Sequence, residues 1–292
     1  MKNIQEENIS EYCAPGATFT SEMIPVTNNV SLKVITFSPP APTQNPAVVF
    51  VSGWVSLIEG WKQVLLEMTK DFTVYYIETR EKISSQVKGK AEYNIEAIAK
   101  DIVALISQFD VKKNGYLLLG SSLGATAILD ACHLLKRNPL CLVLIGPNAV
   151  FRVPKFGMVL IRTFYPPFYF ILRPFILWYL KHFRLDTTAG HAQYEKYREN
   201  LFAADPWKLK KAALAFSQYE VWDRLEHIEY PTLIFGASKD KLHEPENLER
   251  IFSMMKYATY IDMETNEGTH NRSMVEEIQK YIVKLGLSNQ LY

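Results

Sequence analysis

The chain has 292 residues, with 32 basic and 31 acidic side chains and a formal net charge of +1, a balance that excludes a general polyanion binder. Hydrophobic residues at 48% and charged residues at 22% exclude a disordered chain, and the length fits one large α/β domain or two average ones. Three scattered cysteines, Cys13, Cys132 and Cys141, exclude a disulfide scaffold and a Cys-based zinc site and point to a reducing compartment.

In chain order, Met1 to Ser21 mixes acids, amides and hydroxyls without a basic-then-apolar run. It predicts neither a secretory signal nor an anchor helix, and a cytoplasmic protein is expected. Thr18 to Ile24 and Ser31 to Phe37, separated by Thr27-Asn28-Asn29, predict an antiparallel hairpin at a sheet edge. Ala47 to Ser52 is a β-branched and aromatic run stopped by Gly53, the pattern of a strand buried on both faces. Similar runs follow at Phe72 to Glu78, Tyr116 to Leu119, Leu140 to Ile145, Thr232 to Phe235 and Thr259 to Met263. Between them, Asn94 caps a helical repeat from Ile95 to Phe109, and Leu123 to Lys136 and Met274 to Leu285 carry comparable apolar faces. Alternating strands and helices predict a mostly parallel sheet with helices on both sides, whose ligands bind at the carboxyl ends of the strands.

Residues from about Pro147 to Tyr230 break the alternation with an insertion expected to be helical, including segments Tyr194 to Asn200 and Trp207 to Tyr219. Its stretch from Phe156 to Phe183 is strongly aromatic. Arg162, Arg173 and Lys181, with Pro166, Pro167 and Pro174, interrupt that stretch before any run of about 20 apolar residues, so no transmembrane helix is predicted. These aromatics either pack the insertion onto the main domain, line an apolar acyl tunnel, or rest on a bilayer with Trp178 and Tyr179 at the interface.

The strand Tyr116 to Leu119 runs into Gly120-Ser121-Ser122-Leu123-Gly124 and then a helix. This is G-x-S-x-G in a strand–turn–helix setting, where only small residues two before and two after the serine leave room for the chain to reverse. Ser122 would stand at the top of the sheet. A serine nucleophile needs a base oriented by a carboxylate. Asp240 follows the strand Thr232 to Phe235, and His270 lies on the loop between the last strand and the last helix. Asp262, at the end of a strand, competes with Asp240 for the role of acid. His243 is near Asp240 in sequence but enters a Glu/Pro-rich helix start.

With these residues in the order Ser, Asp, His, the chain resembles the α/β-hydrolase superfamily over residues 18 to 286. The resemblance implies an α/β-hydrolase fold with a central sheet of about eight strands. Residues 1–147 and 230–292 would form the core, and residues 148–229 a helical cap. It also implies Ser122 as nucleophile, Asp240 as acid, His270 as general base, Gly120 and Gly124 as the elbow glycines, and the N–H groups of Leu123 and Trp54 as oxyanion donors. Two departures mark a divergent subfamily. Ser52 stands where the family's oxyanion loop usually has histidine, and Glu78-Thr79-Arg80-Glu81-Lys82-Ile83-Ser84-Ser85 matches the family's Asp-x-Arg-Gly-x-Gly-x-Ser only at Arg80 and Ser85.

A serine at the elbow implies an acyl-enzyme, so the expected activity is cleavage of a carboxylic ester or thioester with an apolar acyl group. An acyltransferase on the same triad, or an inactive binding protein of the same fold, are the alternatives. Nucleotide and metal motifs are absent, so no cofactor and no metal are expected. Dispersed basic residues predict no nucleic-acid partner. The expected partners are a small acyl ester or thioester and, through the cap, a membrane surface, with the oligomeric state left open.

Overall fold

The computed structural model describes residues 9–287 apart from residues 112, 154, 185–191 and 240–244. It opens with the expected hairpin, β1 (Thr18–Thr27) and β2 (Val30–Ser38), paired antiparallel. There follow β3 (Ala47–Val51), α1 (Lys62–Met68), β4 (Val74–Ile77), the two-residue β5 (Gln86–Val87), α2 (Ile95–Ile106), β6 (Tyr116–Ser121), α3 (Leu123–Ala131) and β7 (Cys141–Ile145). The insertion contributes β8 (Val150–Arg152), α4 (Lys155–Thr163), α5 (Tyr169–Tyr179), α6 (Ala192–Ala203), α7 (Pro206–Phe216), β9 (Gln218–Glu220) and α8 (Trp222–Leu225). The chain then returns to the sheet with β10 (Thr232–Gly236), α9 (Pro245–Met254), β11 (Ala258–Asp262) and α10 (Arg272–Lys284).

The strands lie in the order β1-β2-β4-β3-β6-β7-β10-β11, with β5 paired to β2 off this path. From β4 to β11 every neighbouring pair is parallel. The carboxyl ends of β3, β6, β7, β10 and β11 therefore open on one edge, where this architecture places its ligands.

The period of two along each strand divides the core into two layers. Val49, Val51, Leu118, Leu142, Leu144 and Ile234 face one way with the apolar sides of α2 and α3. Phe50, Leu117, Leu119, Val143, Leu233 and Phe235 face the other way with α1 and α10. In the second layer Phe50 packs edge-on against Trp61 and Tyr76, with ring centroids 4.7 and 5.3 Å away. Such pairs add about 0.5–1.5 kcal/mol each beyond the area they bury.

Local chemistry sets the helix ends. The Asn94 side chain accepts the Ala97 N–H at 3.0 Å and starts α2. Asp205 accepts from Trp207 and Lys208 N–H and starts α7, with Pro206 in its first turn. Two expectations need correction. The helix predicted from Leu123 to Lys136 keeps α geometry only to Ala131 and finishes in a 3-10 turn, Cys132–Leu134. The predicted segment Trp207 to Tyr219 also ends early, because Tyr219 pairs with Phe151 in an antiparallel ribbon of β8 and β9 at the base of the insertion. Among its described residues, the regular elements of the insertion are thus helical except for this ribbon.

The charged run after β4 is buried. Arg80 holds Asp101 of α2 through two hydrogen bonds of 2.7 and 2.6 Å and also donates to the carbonyls of Glu92 and Ala97. A guanidinium fork matched to a carboxylate satisfies both charges in the interior, whereas losing one partner leaves the other uncompensated.

Candidate active site

β6 ends at Ser121, and Ser122 begins α3 with φ 48° and ψ −113°. A non-glycine residue so placed stores strain on the order of 1–3 kcal/mol and persists only where its surroundings dictate it. Here they do. A Cβ on Gly124 would stand 2.2 Å from the Val51 carbonyl oxygen, and one on Gly120 would stand 2.7 Å from the Ala125 nitrogen. The serine's own amide donates to Ile145 O at 2.8 Å, and Thr126 N–H returns to Ser122 O at 2.9 Å. Leu123, buried behind it, presents its N–H in the first turn of α3, where a helix has no internal acceptor to offer.

The loop after β3 faces this turn. Gly53 lies so close that a Cβ there would be 3.2 Å from Ser121 O and 3.5 Å from the Ser122 Cβ. Gly53 to Ser56 form a turn closed by Ser56 N–H donating to Gly53 O at 3.2 Å. Its third residue, Val55, has φ 49°, a conformation that turns ordinarily give to glycine or asparagine and that a β-branched side chain resists. Within it the Trp54 N–H finds no acceptor among the described residues. Ser52, in place of a histidine, donates its hydroxyl to Ile77 O at 3.0 Å and so ties the loop to the end of β4.

A residue that sequence reasoning passed over lies beneath this turn. The Lys82 ammonium, buried, donates to Gly53 O at 2.8 Å and to Ser56 O. Burial pulls its pKa below the ordinary lysine value, against the raising effect of Glu81 and Glu78. Burial likewise pushes the Glu81 carboxyl up, with Lys82 opposing. Glu81 Oε1 accepts from Thr79 Oγ1 at 2.7 Å, while Oε2 has no partner among the described residues. The available signal was the charged pair Glu81-Lys82, standing where the pattern of the resembled family has glycine and its neighbour.

His270 reaches the same edge from the loop after β11. Its Nδ1 lies 2.7 Å from Asn266 O and 2.9 Å from Thr269 Oγ1. A carbonyl oxygen only accepts, so the contact with Asn266 assigns a proton to Nδ1. The wholly buried Trp61 stacks on the imidazole, centroids 4.1 Å apart at 30°, and anchors its own indole N–H on Ser56 Oγ at 3.1 Å. The turn that carries Trp54 therefore also supports the ring that orients His270. Ser121 and His270 line one small cavity together with Ile145, Gly146 and Phe235.

Of the two acids, Asp240 lies outside the described residues, as does His243. Asp262 is exposed at the end of β11, with its Oδ1 accepting the N–H groups of Ser238 at 3.0 Å and Glu264 at 2.8 Å. Burial acts to raise its pKa, but the hydrogen bonds from Ser238 and Glu264 and the charge of Lys239 outweigh it and hold the carboxyl below its usual value. These bonds commit Asp262 to shaping the turn.

The insertion touches the loops beside this edge through contacts of its own. Asn200 on α6 accepts the Leu57 N–H at 3.1 Å, Phe216 on α7 sits edge-on to Trp54 at 5.7 Å, and Lys208 on α7 donates to Lys82 O, Ser85 O and Ser85 Oγ.

The structure thus brings Ser122, Leu123, Gly120, Gly124, Trp54 and His270 to one edge of the sheet. A sequence model described as serine aminopeptidase, S33, matches residues 43–270. The chain belongs to this family of α/β hydrolases. No curated protein matches this hydrolase significantly in sequence. Among solved structures, it is similar to a thermophilic esterase from Thermogutta terrifontis at 18% identity and a TM-score of 0.72, covering 92% of this chain and 99% of that one. An enol-lactonase from Burkholderia xenovorans superposes at 16% identity and a TM-score of 0.71, over 89% and 98% of the two chains. A membrane phospholipase A described as a bacterial virulence factor does so at 17% identity and a TM-score of 0.69, over 94% and 89%. At such identities these likenesses speak to the fold.

Proposed function

We propose that this α/β hydrolase is a serine hydrolase cleaving carboxylic esters or thioesters with a medium or long apolar acyl group. The observation that carries the reading is the strained Ser122 at φ 48°, held between two glycines whose replacement the backbone forbids and packed against a second strained turn. In the proposed reaction His270 Nε2 takes the Ser122 hydroxyl proton as Oγ attacks the acyl carbon. The tetrahedral oxyanion is met by the N–H groups of Trp54 and Leu123, each such donor contributing about 3 kcal/mol to lowering the barrier. The intermediate collapses, and the leaving alkoxide or thiolate takes the proton from His270. Water, deprotonated by the same nitrogen, then releases the acid and restores Ser122. Asp240 is proposed as the carboxylate that stabilises the imidazolium, a role that the hydrogen bonds of Asp262 leave open.

The substrate class is read from the insertion, which we treat as a cap over the site. Phe156, Ile171 and Phe175 keep 75%, 72% and 63% of their surface exposed, which favours an outward apolar surface over a tunnel lining for these three. From Pro147 to Leu185 the chain carries Arg152, Lys155, Arg162, Arg173, Lys181 and Arg184 and no acidic residue. Apolar side chains among such charges suit an anionic lipid surface, where each Lys or Arg contributes about 1 kcal/mol. No helix among the described residues is long and apolar enough to cross a membrane, so the proposed contact is peripheral, from the cytoplasmic side. Hydrolysis of p-nitrophenyl esters from acetyl to palmitoyl tests the substrate class, with rates expected to peak at eight carbons or more. A preference for acetyl over decanoyl esters, with no retention on phosphatidylserine vesicles, would refute it.

A further inference from the structure

We infer that Lys82 is a positioning residue for the oxyanion donor at Trp54, a buried ammonium that fixes the Gly53–Trp54 peptide plane from beneath the loop. The inference rests on the serine-hydrolase reading above. Gly53 C=O and Trp54 N–H belong to one planar trans peptide, in which the two groups point in opposite directions. Lys82 Nζ holds that carbonyl at 2.8 Å, so the Trp54 N–H is aimed away from Lys82, while the Gly53 α-carbon lies against Ser121 and Ser122. Rotation of this one peptide would lose the donor, and the Ser56 N–H at 3.2 Å shares with Lys82 the hold on its carbonyl.

The turn needs such a clamp. Val55 at φ 49° occupies a conformation that its own side chain opposes, and such a residue persists only where its surroundings hold it. Lys82 bonds both ends of the turn, Gly53 O and Ser56 O. Ser52 fastens only the strand side, through Ile77 O. Space-filling alone does not account for a lysine here. An apolar chain of equal length would fill the same volume at far lower desolvation cost, and the ammonium is compensated chiefly by the two carbonyls it orders and the nearby carboxylates.

Lys208 provides the internal comparison. It donates to Lys82 O and to Ser85, and so supports the segment carrying Lys82 from the cap side, but its ammonium does not bond the loop.

The test compares wild type, Lys82→Met and Lys208→Met on an oxygen ester and its matching thionoester. Sulfur accepts hydrogen bonds weakly, so the oxo/thiono rate ratio reports the oxyanion donors, and a general loss of stability leaves it unmoved. Lys82→Met is expected to lose 10²- to 10³-fold in kcat, about the effect of one missing oxyanion donor. Its KM should change less than threefold and its oxo/thiono ratio should fall in parallel with kcat. Lys208→Met should keep the wild-type ratio. If Lys82→Met does not fold, the ratio is read on Lys82→Gln, too short to reach both carbonyls, and a lowered ratio is again expected. A folded Lys82 variant with the wild-type ratio overturns the inference while leaving the serine hydrolase intact. A wild type that neither discriminates the two esters nor reacts with a fluorophosphonate at Ser122 refutes the serine-hydrolase reading itself.

Discussion

Phe50 on β3 is wholly buried, whereas Phe156 on α4 keeps 75% of its surface in water. The two phenylalanines stand for two regions built on different terms. At the sheet edge the described residues constrain one another: glycines at 120 and 124 admit no Cβ, the residues at 55 and 122 accept positive φ, and Lys82, Ser52 and Trp61 supply hydrogen bonds around them. On the outer surface of the insertion, apolar side chains lie open and cationic groups pass over rings, as Arg173 does 3.6 Å from the centroid of Phe202. Close packing is what holds a reacting atom in place, and exposed apolar surface serves when the partner arrives from outside. On the proposed reading the edge carries the chemistry, and the insertion chooses what reaches it.

Exchanging the two acids sharpens that division most strongly. Asp240→Asn is expected to lower kcat by about 10⁴-fold, as loss of a triad acid does, whereas Asp262→Asn should stay within about threefold of wild type because its bonds serve a turn. Steady-state kinetics on one ester separates them, and the reverse ranking would reassign the acid.

A single methyl group tests the elbow. Gly124→Ala would place a carbon 2.2 Å from Val51 O, so we expect a loss of about 1–3 kcal/mol in unfolding free energy together with at least a tenfold fall in turnover. Denaturant titration and the ester assay read the two effects, and a variant normal in both would show that the elbow has slack.

The outer surface should behave oppositely. Phe156→Ser with Phe175→Ser is expected to leave stability within about 0.5 kcal/mol for each exposed change and hydrolysis of a short soluble ester unchanged, while retention on phosphatidylserine vesicles falls. A large drop in the unfolding midpoint would instead make these rings structural.

The turn at Ser122 and the loop position of His270 were legible because short-range sterics write them into the chain. A serine between glycines at a strand–helix junction, and a histidine on the loop before the last helix, need no knowledge of distant residues. Lys82 was not legible. Its role depends on β3 and β4 lying side by side, so that a segment following one strand slides under the loop of the other. The β8–β9 ribbon escaped for a related reason: each strand has three residues, too few for alternation to register, and only the partner strand reveals them. Trp61 reads in sequence as one more core aromatic, and its stacking on His270 is a product of the fold. The Asn266 carbonyl that meets His270 Nδ1 at 2.7 Å is likewise invisible to any reading of side chains.

The smallest effect concerns acid stability. The Asp262 carboxyl is held below its usual pKa, so its contribution is present above the unfolded value of about 3.9 and is lost as pH falls through the folded value. The thermal midpoint of wild type should exceed that of Asp262→Asn near neutrality, with the gap closing only below about pH 4. A gap that is unchanged at low pH would show that the two N–H bonds alone, and not the carboxylate charge, stabilise the turn.

The most direct measurement is to label the protein with a fluorophosphonate and map the adduct by peptide mass, alongside Ser122→Ala. The account predicts a single adduct on the peptide carrying Ser122, absent in the variant, with turnover lost in step. An unlabelled but folded wild type, or an adduct on another residue that persists in Ser122→Ala, would contradict it.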